Sequence, residues 1–262
     1  LSNLVAKTLG TNMKTTSGPA IEKVGDLAAI LTNLSPGDVL FIDEIHRLSK
    51  SIEEVLYPAM ESGVLDIIIG KGPSARTVQL ELPPFTMVAA TTRISLLSSP
   101  LRSRFSGGTF RLEFYSDDEI GQILGRSAEL LGMDPTPEVI ALIASRCRAT
   151  PRTANYLLKR CRDLAQLEGT DLTKEITDKT FGLLEIDNLG LGGPDRAVLD
   201  AIINKFNGGP VGLNTIAAAT GEEPSTIEDV IEPYLIRHGL IERTPRGRTA
   251  SPEAYSHLEN LD

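Results

Sequence analysis

Two hydrophobic rhythms alternate along the first part of the chain. Val39-Leu-Phe-Ile42 is a short apolar run without a polar break, the signature of a strand covered on both faces of a parallel sheet. Phe85 to Ala90 reads the same way. Between them the spacing predicts a helix over about 51–61 and two extended runs, Leu65 to Ile69 and Thr77 to Leu82. The second run alternates in polarity. Gly70-Lys-Gly-Pro-Ser-Ala75 joins the two, so they predict a β-hairpin. Leu1 to Leu9 reads as a helix already under way, with no capping residue before it.

From 116 to about 186 the pattern is helical. Ser116 followed by Asp117, Asp118 and Glu119 predicts an N-cap with an acidic first turn. Thr150-Pro151 predicts a second cap, with proline at the first helical position. Ala154, Leu157, Leu158, Cys161 and Leu164 then share one face, and Gly169 stops the helix. Asn188-Leu-Gly-Leu-Gly-Gly-Pro194 reads as a linker. Three short helical patterns follow, over 195–206, 212–219 and 224–237, and then a two-strand tail from Leu240 to Ser251. Three helices and a hairpin make a winged helix. The expected architecture is an α/β domain over 1–115, a helical domain over 116–187 and a winged helix over 188–262.

Composition narrows this little. Of 262 residues, 41% are hydrophobic and 23% charged, the balance of a globular protein. No apolar run approaches the ~20 residues that span a bilayer, and no secretory leader is visible, so a cytoplasmic location is expected. Cys147 and Cys161 lack metal-ligand spacing and are expected to be buried thiols. The net charge of −9 argues mildly against DNA binding, since a protein holding DNA by bulk attraction is usually basic. Any nucleic-acid contact must come from a local basic patch.

Asp43 and Glu44 follow the first buried strand directly. Ligands of parallel α/β sheets sit at the carboxyl ends of strands. There one carboxylate can orient the hydration shell of Mg2+, and a second can polarise the water attacking a phosphoryl group. The plain alternative is two acids capping the next turn. Thr91 and Thr92 end the neighbouring strand, where a hydroxyl can sense a γ-phosphate, although threonine ends many strands. Arg102 and Arg104 are two apart and so do not share a helix face. One can stay within its subunit while the other reaches out as an arginine finger; surface salt bridges are the ordinary alternative. Arg152 puts a cation in a first helical turn, against the macrodipole, which suits a residue touching phosphates.

The third helical pattern of the winged helix, Gly221 to Pro233, carries five acids and no base, so phosphates would repel it. Arg243, Arg246 and Arg248, broken by Pro245 and Gly247, form instead a small cationic tip suited to sequence-blind backbone contact. In the predicted hairpin, Ile67-Ile-Ile69 with Leu65 and Leu80 either packs on the protein's own core or forms a partner site; the partner site is the expectation here.

Taken together, Thr16-Ser-Gly-Pro19, Gly25-Asp-Leu-Ala28, Asp43-Glu-Ile-His-Arg-Leu48, Ala90-Thr-Thr-Arg93, Ser99-Pro-Leu-Arg-Ser-Arg-Phe105, Gly208-Gly-Pro-Val-Gly-Leu213 and Arg243-Thr-Pro-Arg-Gly-Arg248 resemble the RuvB family across essentially the whole chain. These are bacterial AAA+ motors that drive Holliday-junction branch migration. The resemblance implies a P-loop ATPase domain, a helical lid and a winged helix, with ATP and Mg2+ as cofactors. It implies Asp43 and Glu44 as Walker B acids, Thr91 or Thr92 as sensor 1, Arg104 as the finger and Arg152 as sensor 2. Tyr115 would lie near the adenine, and Glu61, Ser62 and Gly63 near a neighbouring subunit's nucleotide. Arg243 and Arg248 would contact DNA, and the hairpin would dock on RuvA. A homo-hexameric ring, with RuvC in the full resolving assembly, completes the implied partners.

Two departures stand beside this. No GxxxxGK[ST] phosphate cradle occurs in the 262 residues, so the chain as written is expected not to bind ATP tightly. Phe105-Ser-Gly-Gly-Thr-Phe110 is one residue longer than the family pattern. Clamp-loader-like ATPases and winged-helix transcription factors are the alternatives. The winged tail argues against the first, and the acidic third helix and the finger against the second.

Overall fold

The computed structural model describes residues 1–69 and 76–259, without the side chains of Ile68 and Ile69. The chain forms two compact units, 1–111 and 112–262.

The first unit runs α1 (Ser2–Leu9), β1 (Met13–Ser17), α2 (Val24–Thr32), β2 (Val39–Asp43), α3 (Lys50–Ser62), β3 (Val64–Ile69), β4 (Arg76–Glu81), β5 (Thr86–Ala89) and α4 (Ser99–Arg104). Strands β1, β2 and β5 form a parallel sheet in that order. The central strand is β2, which is why it reads as continuous apolar sequence. Val39, Leu40 and Ile42 are fully buried, and Leu40 and Ile42 pack with Leu27, Leu31, Ile52, Leu56 and Leu101 of the helices. Strand β1, Met13-Lys-Thr-Thr-Ser17, carries no hydrophobic signature and escapes a pattern reading. The backbone ladder to β2 sets it in place, with Ser17 opposite Asp43.

Strands β3 and β4 pair antiparallel, from Val64 opposite Glu81 to Ile69 opposite Arg76. The join expected at 70–75 lies outside the described residues. The apolar stripe of this hairpin is not the free surface expected from the sequence. Leu65 is fully buried, and Ile67 and Leu80 pack against the core of the first unit. Alternation puts Leu65 and Ile67 together on that inner face. The side chains of Ile68 and Ile69, also expected in a partner site, lie outside the described residues.

The second unit begins with α5 (Asp117–Leu130), α6 (Pro137–Arg146), α7 (Pro151–Glu168) and α8 (Lys174–Leu183). A reciprocal capping box opens α5: the Ser116 hydroxyl accepts from the Glu119 N–H, and the Glu119 carboxylate accepts from the Ser116 N–H. Helix α7 buries Ala154, Leu157, Leu158, Cys161 and Ala165, and Gly169 ends it in the left-handed region. Both cysteines are buried thiols; burial pushes the Cys161 thiol up to about 11, so it stays protonated at neutral pH.

A second core follows, built from α9 (Gly193–Asp200), α10 (Leu213–Thr220), α11 (Pro224–Thr226), α12 (Glu232–Arg237), β6 (Ile241–Thr244), β7 (Gly247–Ala250) and α13 (Pro252–Glu259). π-helical turns at Ala201–Lys205 and Ile227–Ile231 continue α9 and α11. This is the expected winged helix, with α13 as an addition. Val211 bridges to Arg248 as a third extended segment of the wing. That bridge requires glycine at 247. Its φ is +140°, and a Cβ there would meet the Val211 carbonyl oxygen at 2.4 Å. Gly247→Ala is therefore expected to destabilise the second unit by about 2 kcal/mol. Denaturant unfolding would measure this, and a change below ~0.5 kcal/mol would contradict it.

Candidate nucleotide and DNA sites

Asp43 ends β2 and is exposed, its Oδ1 accepting the Glu44 N–H at 3.0 Å. Glu44 then turns the chain in the left-handed region, at φ 48° and ψ 44°. A non-glycine residue there is strained by about 1–2 kcal/mol and persists only where its surroundings over-determine it. They do so here. Ile45, fully buried, donates its N–H to the Ala90 carbonyl at 3.1 Å, and Ala90 donates to the Ile42 carbonyl at 3.0 Å. Arg47 donates its N–H to the Glu44 carbonyl at 2.9 Å. Gly18 packs against that same carbonyl so closely that a Cβ would lie 2.3 Å from the oxygen. The turn sets two carboxylates side by side at the carboxyl end of the sheet, Asp43 exposed and Glu44 half-buried.

The two threonines after β5 differ. The Thr91 hydroxyl is bonded to His46 Nδ1 at 2.9 Å and accepts the Arg93 N–H at 3.0 Å. Thr92 is exposed, and its hydroxyl makes no hydrogen bond among the described residues. Sequence reasoning left the pair open because the partner of Thr91, His46, belongs to a different strand end.

Arg104 closes α4. Its Nη1 donates to the Pro100 carbonyl and its Nη2 to Glu61 Oε2, both at 2.9 Å. Its guanidinium lies 4.6 Å from the centroid of the Tyr57 ring. Met60, Glu61, Ser103, Arg104 and Ser106 line an open cleft of about 450 Å3. Ser62 ends α3, and Gly63 caps it in the left-handed region. Arg102, by contrast, is exposed.

In the second unit, Tyr115 is exposed and donates its N–H to the Ala149 carbonyl at 3.3 Å. Arg148 and Ala149 are successive left-handed residues, at φ 59° and 52°. They are held from one side by the Arg148 guanidinium, which binds the buried Asp195 at 3.1 Å and the Val230 carbonyl at 2.9 Å, and stacks on Tyr234. Sequence reasoning missed Arg148, since a lone arginine at a helix end carries no pattern. The exposed Arg152 stands in the first turn of α7, which has no acidic residue. The Thr150 hydroxyl does not cap this helix as expected; it donates to Thr153 Oγ1.

The wing arginines divide. Arg246 is exposed at the turn between β6 and β7. Arg243 is exposed and pairs with Glu228 at 3.1 Å. Arg248 does not belong to the cationic tip expected from the sequence. It is 8% exposed and donates through Nε and Nη2 to Glu232 Oε2, at 3.0 and 2.7 Å. The register explains this. Arg243 and Arg248 are cross-strand partners, so both face α12, where Glu232 lies 3.7 Å from Arg243.

Comparison with known proteins accords with this geometry. A family model for the P-loop domain of the Holliday junction DNA helicase RuvB matches residues 1–112, the RuvB AAA lid domain matches 115–187, and the RuvB C-terminal winged-helix domain matches 188–259. The Thermotoga maritima RuvB Holliday junction branch migration motor is 46% identical; the match covers 98% of this chain and 82% of that one, with a TM-score of 0.88. Two mutant forms of the Thermotoga protein match over the same shares at 46% identity, with TM-scores of 0.88 and 0.89. This chain belongs to the RuvB family.

As a RuvB protein it is a P-loop ATPase of the DNA helicase class. Its first unit brings Asp43, Glu44, Thr91 and Thr92 to one end of the sheet, and sets Glu61 and Arg104 together on α3 and α4. Among the described residues no helix is long and apolar enough to cross a membrane. In the RuvB wing, Glu232→Ala would leave the buried Arg248 guanidinium unpaired. It is expected to destabilise the second unit by about 3–5 kcal/mol. Glu228→Ala, which strips only the exposed Arg243, is expected to lose less than about 1 kcal/mol. Equal losses in urea titrations would sink this distinction.

Proposed function

We propose that this protein, together with a phosphate-binding loop that these 262 residues do not contain, hydrolyses ATP with Mg2+ to pull the duplex arms of a four-way DNA junction through a ring of six copies, driving branch migration in cytoplasmic recombination and repair. The observation that carries the reading is the strained Asp43-Glu44 turn at the carboxyl end of β2, in a chain of the RuvB family. The domains are the ATPase domain over 1–115, the lid over 116–187 and the winged helix over 188–262.

The exposed Asp43 carboxylate is the hard oxygen donor that a hydrated Mg2+ accepts. Mg2+, when bound, neutralises charge on the phosphates. Glu44 would accept a hydrogen bond from the attacking water and take its proton as the water oxygen bonds to phosphorus and the diphosphate leaves. Thr92, with its hydroxyl uncommitted, is the sensor, whereas Thr91 braces His46 against β5. Arg104 is the finger, stabilising the phosphoryl charge in the neighbouring subunit; Glu61, Ser62 and Gly63 attend that same nucleotide. Tyr115 and Arg152 serve their own subunit's base and phosphates. Arg243 and Arg246 hold the DNA backbone without reading bases, while Arg248 buttresses the wing through Glu232. The β3–β4 hairpin docks RuvA, and RuvC joins the resolving assembly.

Thr92→Val is expected to lower kcat about 100-fold while nucleotide affinity stays within about threefold. Thr91→Val is expected to act mainly on stability. Turnover assays beside thermal melts decide this; the assignment reverses if Thr91→Val alone stops turnover in a folded protein. Arg243→Ala with Arg246→Ala should weaken DNA binding equally on unrelated sequences and reduce its salt slope by about two. A loss confined to one sequence would rule out backbone holding.

A further inference from the structure

We propose that Tyr57 is a positioning residue for the arginine finger: its ring orients the Arg104 guanidinium, and its hydroxyl anchors the short helix that carries it. The inference rests on Arg104 being that finger. Helix α4 has six residues, too few to be stable alone. Its start is held by a chain of hydroxyls. Ser98 Oγ accepts the Leu101 N–H at 3.3 Å and lies 2.7 Å from the Tyr57 hydroxyl. Tyr57 donates in turn to Glu53 Oε2 at 3.2 Å, and Glu53 is 4% exposed. Each hydroxyl has one proton, so the order is fixed: Ser98 donates to Tyr57, and Tyr57 donates to the carboxylate.

The other end of α4 meets the same tyrosine. The Arg104 guanidinium lies 4.6 Å from the ring centroid, and its Nε is buried without a hydrogen-bond partner. An arginine stacked on a ring keeps its in-plane donors available. Of its two hydrogen bonds among the described residues, one is local, to Pro100, and one is to Glu61, whose side chain is 65% exposed. The Glu61 arm is the exchangeable one. A phosphate oxygen from a neighbour can replace that carboxylate at Nη2 while the ring and Pro100 hold the plane. Residues 53, 57 and 61 follow the i, i+4, i+8 spacing of one face of α3, so a single helix supplies the anchor, the shelf and the exchangeable partner.

The test is a double-mutant cycle on ATP turnover by the full-length protein assembled on duplex DNA. Tyr57→Leu should lower kcat about tenfold with KM within twofold, and Tyr57→Phe, which keeps the ring but loses the hydroxyl anchor, should recover part of the loss; if it recovers none, the ring does not orient the guanidinium and the proposal falls. In an Arg104→Ala background, Tyr57→Leu should change kcat less than twofold. If it lowers kcat as much there as in the wild type, Tyr57 acts independently of the finger and the proposal falls. It falls too if Tyr57→Leu has wild-type kcat while Arg104→Ala is impaired. If Arg104→Ala itself retains full turnover, the finger reading fails first. Should Tyr57→Leu not fold, Tyr57→Met fills the space without a ring and carries the same expectations.

Discussion

The carboxyl end of the sheet in the first unit depends on one close approach, Gly18 against the carbonyl of Glu44. No side chain fits between them, since a Cβ would stand 2.3 Å from the oxygen. The contact fixes the end of β1 against the turn after β2, while Ala90 and Ile45 tie the same turn to the end of β5. Three strand ends are thus gathered on one strained residue. The strain is sustained by the buried Ile45 and by a ladder of ordinary backbone bonds, none unusual alone. Because several contacts hold it at once, Glu44 keeps this conformation only while most of them stand.

Much of this was legible in the sequence, for a physical reason: a central strand buried on both faces must be apolar throughout, so β2 and the acids after it announce themselves. Capping announces itself too, as Ser116 and Glu119 show. What stayed hidden depends on partners far along the chain. The polar β1 is a strand only because β2 lies beside it. Thr91 differs from Thr92 only because His46 reaches one of them. The Ile67 stripe could be surface or core by pattern alone, and the packing of Ile67 and Leu80 makes it the hairpin's attachment. Arg248 was misplaced because spacing along a chain does not reveal cross-strand register. Four residues separate it from Arg243, yet the tight turn sets the two directly opposite.

That register also changes the meaning of the acidic third helix. Read as sequence, its five acids merely repel DNA. In the structure, Glu228 and Glu232 are the counter-charges that let two arginines sit opposite each other, where like charges would otherwise destabilise the pair. The arrangement divides labour. One arginine is buried as a strut, one is half-neutralised, and Arg246 stands at the turn with its charge exposed. So small a cationic tip on a chain of net charge −9 acts only at short range, since screening in physiological salt reaches about 8 Å. A single wing would therefore hold DNA weakly and release it readily. In the proposed motor that property suits each contact, and linking several copies in the proposed ring would restore the total grip through effective concentration.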